Sequence, residues 1–342
     1  MANNKSTQKS FLPNRTRALT GIQPTGDVHI GNYFGAVKPI IDFSQDANYE
    51  VILMCADLHG LTNKTKIMEP GQCTIAQLAL YLSLGFNSKG NCLILQSDFP
   101  QIQANAWYLS CAAPVGLLER AHAYKDALQN GKEPTCGLFN YPILMASDIM
   151  SFDAQVVPVG KDQAQHVEYA SDMGRLFNNA VGIDVYHEAK PLISADMPIL
   201  PGTDGRKMGK SYNNHIPVFA TRKEIEKKVK EIKTDSKGLD EVKDPETCLI
   251  YQMFRGFASA EALNHMHERM INGTAYGYGH AKIDFVDEHE RVFGSKRELY
   301  QHFCNSPAEI KSHMEPCYSK VEGYLNAVSN RARDALGLKT FR

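Results

Sequence analysis

From residue 16 to about 180, strand-like stretches alternate with helix-like ones, and this alternation leaves few architectures open to the chain. Residues 51–56 (VILMCA) and 92–96 (CLILQ) are almost continuously apolar, as expected of strands buried on both faces of a parallel sheet. Residues 17–22 and 155–159 read as two further strands. Residues 29–43, 70–84, 102–111, 114–124, 141–150 and 162–178 read as helices; the second carries Ala76, Leu80 and Leu84 at four-residue spacing. The pattern predicts an α/β fold, a parallel sheet with helices on both faces. After about residue 215 the strands stop. Residues 221–233, 246–258, 260–271, 283–292, 295–305 and 307–336 all read as helical, which predicts an all-helical second domain. The Gly-rich polar stretch 202–214 would connect the two. The expected division is an N-terminal extension at 1–16, an α/β domain at 17–214 and a helical domain at 215–342, with the last helix able to pack back on the first domain.

With 342 residues the chain is long enough for two domains and a sizeable core. Lys+Arg total 37 and Asp+Glu 38, a formal charge of −1. That excludes a uniformly basic coat, but not a local basic face for nucleic acid. Residues 1–26 hold Lys5, Lys9, Arg15 and Arg17 and no acid, and 222–243 hold eight Lys/Arg against six Asp/Glu; either can equally be a solvated surface. No two of the eight cysteines have CxxC spacing, so nothing points to zinc or an iron–sulfur cluster. Reduced, mostly buried thiols and a cytoplasmic location are expected. The polar first 15 or so residues lack the apolar core of a secretory signal and read as a frayed tail. No apolar run approaches the ~18 residues of a membrane-spanning helix.

Two loops carry the chemistry. Thr25-Gly26-Asp27-Val28-His29-Ile30-Gly31-Asn32 follows the first strand and opens the first helix. A helix start at a strand's carboxyl end offers amide N–H groups and a positive dipole to phosphate, and His29 and Asn32 could donate to phosphate oxygens. Gly31, without a Cβ, would let a flat ring lie on the backbone. Gly205-Arg206-Lys207-Met208-Gly209-Lys210-Ser211 puts three cations between glycines; two lysines on a flexible loop can follow charge as a triphosphate becomes pyrophosphate. Asp148 stands in an apolar helix (YPILMASDIM). A buried carboxylate needs a donor, which could be a backbone N–H, an Arg or a ligand.

His29-Ile30-Gly31-Asn32 and Lys207-Met208-Gly209-Lys210-Ser211, about 175 residues apart, resemble the HIGH and KMSKS signatures of class I aminoacyl-tRNA synthetases. Gly21-Ile22-Gln23-Pro24-Thr25-Gly26, Asp57-Leu58-His59, 141–149 (YPILMASDI), 157–166 (VPVGKDQAQH) and 200–206 (LPGTDGR) are similar to bacterial tryptophanyl-tRNA synthetases. The resemblance covers most of 18–215 and thins toward the C-terminus. It implies a Rossmann-like catalytic domain and a helical anticodon-binding domain. It also implies ATP lying against Gln23, Pro24, Thr25, Gly31, Asn32, Gly160, Lys161, Asp162, Leu200 and the loop Lys207, Met208, Gly209, Lys210 and Ser211. Tryptophan would lie against His59, Tyr141, Met145, Asp148, Val157, Val159 and Gln163. His29, Asn32, Lys125, Lys207 and Lys210 would hold the phosphates during reaction. Two positions depart from the family: Gly209 replaces a serine, and Lys161 replaces a commonly acidic residue.

The implied reaction is attack of the tryptophan carboxylate on the α-phosphate of ATP carried with Mg2+, giving tryptophanyl-adenylate and pyrophosphate, then transfer to the 3′ end of tRNA(Trp) by a homodimer. The alternatives are a tyrosyl-tRNA synthetase, a non-catalytic paralogue that binds tRNA or tryptophan, and, less compatible with the helical half, a small nucleotidyltransferase.

Overall fold

A computed structural model of the chain describes residues 15–24, 26, 28–62, 70–131, 133–160, 163–193, 199–273 and 275–339. In chain order the first half runs β1 (Thr16–Ile22), α1 (Ile30–Asn32), a π-helical turn (Tyr33–Val37), α2 (Lys38–Phe43), β2 (Tyr49–Cys55), α3 (Asp57–Gly60), α4 (Pro70–Leu84), β3 (Cys92–Leu95), α5 (Pro100–Ala112), α6 (Val115–Glu119), α7 (His122–Gln129), α8 (Cys136–Ser151), β4 (Val156–Val159), α9 (Ala164–Val181) and β5 (Lys190–Ile193). The second half is helical: α10 (Arg222–Lys230), α11 (Leu249–Phe254), α12 (Ala260–Asn272), α13 (Tyr278–Asn305) and α14 (Pro307–Ala335). The five strands are parallel in the order β3-β2-β1-β4-β5. The order reverses between β1 and β4, which opens a crevice at their carboxyl ends. The expected α/β class with a helical C-terminal part is what is found.

The pleat sends alternate side chains to opposite faces. In β2, Val51, Leu53 and Cys55 join one apolar cluster, and Ile52 and Met54 the other. The first cluster continues without a gap into Phe254, Phe257, Phe285 and Phe293 of the helical half. The second is built with α5, α8, α9 and the end of α14. Helix α14 straddles both: Ile310 and Met314 lie in the first, Val321, Leu325 and Val328 in the second. Polar contacts fasten it to the sheet. The Tyr324 hydroxyl donates to Glu50 at 2.9 Å, the Arg17 guanidinium lies 3.4 Å above the Tyr324 ring, and Arg331 pairs with Asp153 at 2.6 Å. No helix of the described residues is long and apolar enough to cross a membrane.

Several boundaries differ from the sequence expectation. Residues 283–292 and 295–305 are one helix, the 28-residue α13. The helix runs through Gly294, since a single helical glycine costs only ~1 kcal/mol. Here the bare glycine lets Glu290 fold over the backbone to meet Arg297 at 2.5 Å; a Cβ would stand 2.8 Å from the Glu290 carboxylate. Residues 114–124 are two helices, because the backbone of the buried Ala121 is extended. β5 escaped notice because it is a four-residue edge strand with Pro191 in it, a position where proline is tolerated. The thiols are less buried than expected. All eight cysteines are free, but only Cys55, Cys92 and Cys248 are buried, while Cys111 and Cys136 are exposed on helix surfaces.

Because one cluster serves the sheet and the helical half, Leu53→Ala and Phe285→Ala should lower the same urea transition, each by roughly 2–5 kcal/mol. Two separate transitions, each moved by only one variant, would show independent cores.

Candidate active site

The two signature loops meet at the crevice. The Ile30 N–H donates to the Ile216 carbonyl and the Val218 N–H to the Val28 carbonyl, both at 2.9 Å, so that His29 and Pro217 form an antiparallel bridge. Met208, 4% exposed, reaches across. A Cβ on Gly31 would lie 3.4 Å from its sulfur and 3.1 Å from the His29 ring. Gly31 is therefore needed first for protein packing, where the sequence suggested room for a ligand ring. A Cβ on Gly26 would stand 3.9 Å from the Lys210 ammonium, which brings this lysine to the first turn.

His29 caps the helix, with its Nδ1 accepting from the Asn32 N–H at 3.2 Å. An imidazole that accepts at Nδ1 carries its proton on Nε2 when neutral. Burial, then the neighbouring His215 and Lys210, lower its pKa to about 4. His29 is thus a neutral Nε2–H donor, suited to a phosphate oxygen. Two amides of this turn are already engaged, Ile30 with Ile216 and Asn32 with His29, so the helix start offers fewer donors than the sequence suggested. The Asn32 side chain is exposed at the crevice, Gln23 is exposed at the end of β1, and Pro24 is buried against Gly60.

The second loop is exposed at Lys207, Lys210 and Ser211, and Gly209 is half-buried. Arg206 is held by Asp204 at 2.6 Å and lies over Tyr212. The Leu200 carbonyl accepts from the Met208 N–H at 3.2 Å, and its side chain is buried.

A buried polar cluster lies where the carboxyl ends of β2 and β3 meet α8. Tyr141, Met145 and Asp148 fall at i, i+4 and i+7 of α8, on one helix face. Asp148 is 4% exposed. One carboxylate oxygen accepts from His59 Nε2 at 2.9 Å, and the other accepts from Gln96 Nε2 at 2.7 Å. Burial raises the Asp148 pKa, and the His59 and Gln96 contacts oppose the rise. His59 follows β2 and Gln96 follows β3, so both come from strand ends. Gln96 was missed from the sequence; its signal was a glutamine directly after a buried strand. It is fully buried, and its Oε1 has no partner among the described residues. The Tyr141 ring lies edge-on to His59 at 6.5 Å and to His166 at 6.1 Å. His166 was also missed, although it ends the VPVGKDQAQH stretch.

The remaining expected residues are less closely gathered. Val157 is buried in the core and Val159 packs against it on the same face of β4. Gly160 accepts from the Gln163 N–H at 3.0 Å, and Gln163 stands just before α9 without a side-chain capping bond. Lys125 is exposed on α7, which packs on α8 through Tyr124 against Phe139. No hydrogen bond or ion pair among the described residues links Lys125 to the two loops. Thr25, Lys161 and Asp162 lie outside the described residues.

A family model, tRNA synthetases class I (W and Y), matches residues 13–293. The chain belongs to this family. It is 40% identical to the tryptophan–tRNA ligase of Fusobacterium nucleatum over 317 residues, 93% of each chain. It is similar to the solved tryptophanyl-tRNA synthetase of Campylobacter jejuni in complex with ADP and tryptophan, with a TM-score of 0.86, 36% identity and coverage of 94% of this chain and 100% of that one. A tyrosyl-tRNA synthetase of Archaeoglobus fulgidus shares the fold at a TM-score of 0.61 and 20% identity, covering 84% of this chain and 91% of that one. The tryptophanyl branch read from the sequence is the one these similarities support.

His29 should stay neutral down to about pH 4, with its proton on Nε2, as read by NMR of its ring nitrogens. Since the folded-state pKa of about 4 is below the ordinary 6.5, the unfolded chain binds the extra proton first. His29 therefore weakens folding only as pH falls from 6.5 toward 4. Titration near 6.5 would contradict the buried, accepting ring.

Proposed function

We propose that the chain is a tryptophan–tRNA ligase that activates L-tryptophan with ATP and transfers it to tRNA(Trp). The observation that carries this reading is Asp148, a buried carboxylate with His59 and Gln96 on its oxygens. The indole N–H is the donor that suits such a carboxylate, with Met145 and Tyr141 as apolar walls. A site built around a buried acceptor disfavours a side chain that leaves it unpaired, by a factor on the order of 10⁴ for phenylalanine.

Adenylate formation needs alignment and charge stabilisation, with no covalent enzyme intermediate. The tryptophan carboxylate attacks the α-phosphorus in line, and pyrophosphate leaves with its charge. His29 donates through Nε2 from one side, with Asn32 beside it. Lys207 and Lys210 approach from the other side and move with the leaving charge. Mg2+ enters with ATP as part of the substrate. Gln23, Pro24, Thr25, Gly160, Lys161, Asp162 and Leu200 line the nucleotide, Gln163 reaches the amino acid's charged end, and Lys125 swings in from α7 toward the phosphates. The 2′-OH of the tRNA terminus then attacks the adenylate carbonyl, the acyl–phosphate bond breaks, and AMP leaves. Residues 215–342 act as the anticodon-binding domain, with its basic start at 222–237 as the face. The enzyme works in the cytoplasm as a homodimer.

Exchange of pyrophosphate into ATP should occur with tryptophan alone among the twenty amino acids. Asp148→Asn should lower kcat/KM for tryptophan about 10–100-fold, the size of a lost hydrogen bond to a charged group. Exchange with tyrosine would overturn the substrate. Tryptophan binding without exchange would point to the non-catalytic paralogue. Separately, Lys210→Ala should slow adenylate formation roughly 10²–10³-fold with little change in tryptophan affinity; equal losses in both would remove the loop's role in the transition state.

A further inference from the structure

Asn214 lies three positions beyond the lysine loop and is 2% exposed. An amide this deeply buried needs partners, and those among the described residues lie in the loop and just before it. Its Oδ1 accepts from the Gly209 N–H at 2.8 Å. Its Nδ2 donates to Asp204 Oδ1 at 2.7 Å and to the Lys207 carbonyl at 3.2 Å. Its own carbonyl accepts from the Thr203 N–H at 2.9 Å. The neighbouring chain is cut to fit, since a Cβ on Gly202 would stand 2.3 Å from the Asn214 amide. One neutral side chain thus grips the carbonyl of Lys207 and the N–H of the Met208–Gly209 peptide, while the Lys207 and Lys210 side chains remain exposed.

We propose that Asn214 is a positioning residue for the activation step, setting from beneath the course of the loop that aims Lys207 and Lys210. This rests on the ligase reading above. Asn214 touches no reacting atom; it works through the backbone of residues that do. A displacement of about 1 Å in such groups costs on the order of 10²-fold in rate. Aspartate cannot substitute, although it has the same shape. It would still accept from Gly209, but it has no proton for the Lys207 carbonyl and would set a second carboxylate against Asp204.

That asymmetry supplies the test. Three variants are compared with the parent chain: Asn214→Ala, Asn214→Asp, and Asn214→Asp combined with Asp204→Asn. The double variant exchanges donor and acceptor, so that an amide at 204 donates to a carboxylate at 214 that still holds Gly209. Each is measured for tryptophan-dependent pyrophosphate exchange, for tryptophan Kd by calorimetry, and for trypsin cleavage after Arg206, Lys207 and Lys210, a reading that needs no activity. Both single variants should lose about 10²-fold in exchange kcat, keep tryptophan Kd within about twofold, and be cleaved about tenfold faster in the loop. The double variant should recover at least about tenfold of the lost kcat and return cleavage toward the parent rate. Unchanged cleavage in the single variants overturns the proposal. So does a loss of tryptophan affinity that matches the loss of kcat, or a double variant no better than Asn214→Asp. If Asn214→Ala does not fold, Asn214→Asp and the double variant still decide. A parent chain without exchange would refute the ligase reading, and cleavage would still judge Asn214.

Discussion

Two main-chain hydrogen bonds, between Ile30 and Ile216 and between Val218 and Val28, hold together everything that follows. They join segments about 190 positions apart in the sequence, and they form an isolated antiparallel bridge outside the five-stranded parallel sheet. Without this seam the helix start and the lysine loop would be separate surface features. The helical half braces the seam from behind. His289 lies wholly buried on α13, its Nε2 3.2 Å from the Pro217 carbonyl, and burial holds its pKa at about 4, so the ring remains a neutral donor to that carbonyl. Lys228 of α10 donates to the Asn213 carbonyl at 3.1 Å, and the Lys233 N–H donates to Thr203 at 3.0 Å. Both ends of the loop are therefore tied to the helical half.

The crevice divides its charges by depth. The carboxylate is at the floor, where low dielectric strengthens each hydrogen bond and makes an unmade one costly. The lysines are at the mouth, exposed and on a loop. This suits the two halves of the substrate pair. An indole keeps its charge distribution throughout the reaction and is best recognised by fixed groups. A triphosphate redistributes charge as its α–β bond breaks, and it is best served by cations that can move with it. Lys207 and Lys210 are both exposed.

Much of this was legible in the sequence where local pattern and tertiary role coincide. The runs around Val51 and Cys92 are apolar because both sheet faces are covered, so they read as strands. Asp148 stood out because a carboxylate inside YPILMASDIM must find a donor. Gln96 and Asn214 were not legible. Glutamine after a strand and asparagine after a loop are ordinary residues there, and what distinguishes them is burial against partners 52 and 5–10 positions away. The same holds for Gly294, a breaker by propensity that α13 uses to let Glu290 reach Arg297. Propensity describes the residue, while these roles belong to the contact.

Gly209 shows why one such departure from the family pattern is compatible with the site. Its φ of −171° is extended, a conformation any residue adopts, so the glycine is not there to relieve strain. A Cβ at 209 would meet the Tyr212 ring at 3.5 Å, an ordinary contact. What the loop uses at this position is the main-chain N–H, bonded to Asn214, and every residue except proline supplies it. Loss of the serine hydroxyl removes a side-chain group and leaves the anchor intact. The penalty is a wider range of backbone conformations for the free loop, and this entropy is what the Asn214 amide opposes by holding 204, 207 and 209 at once.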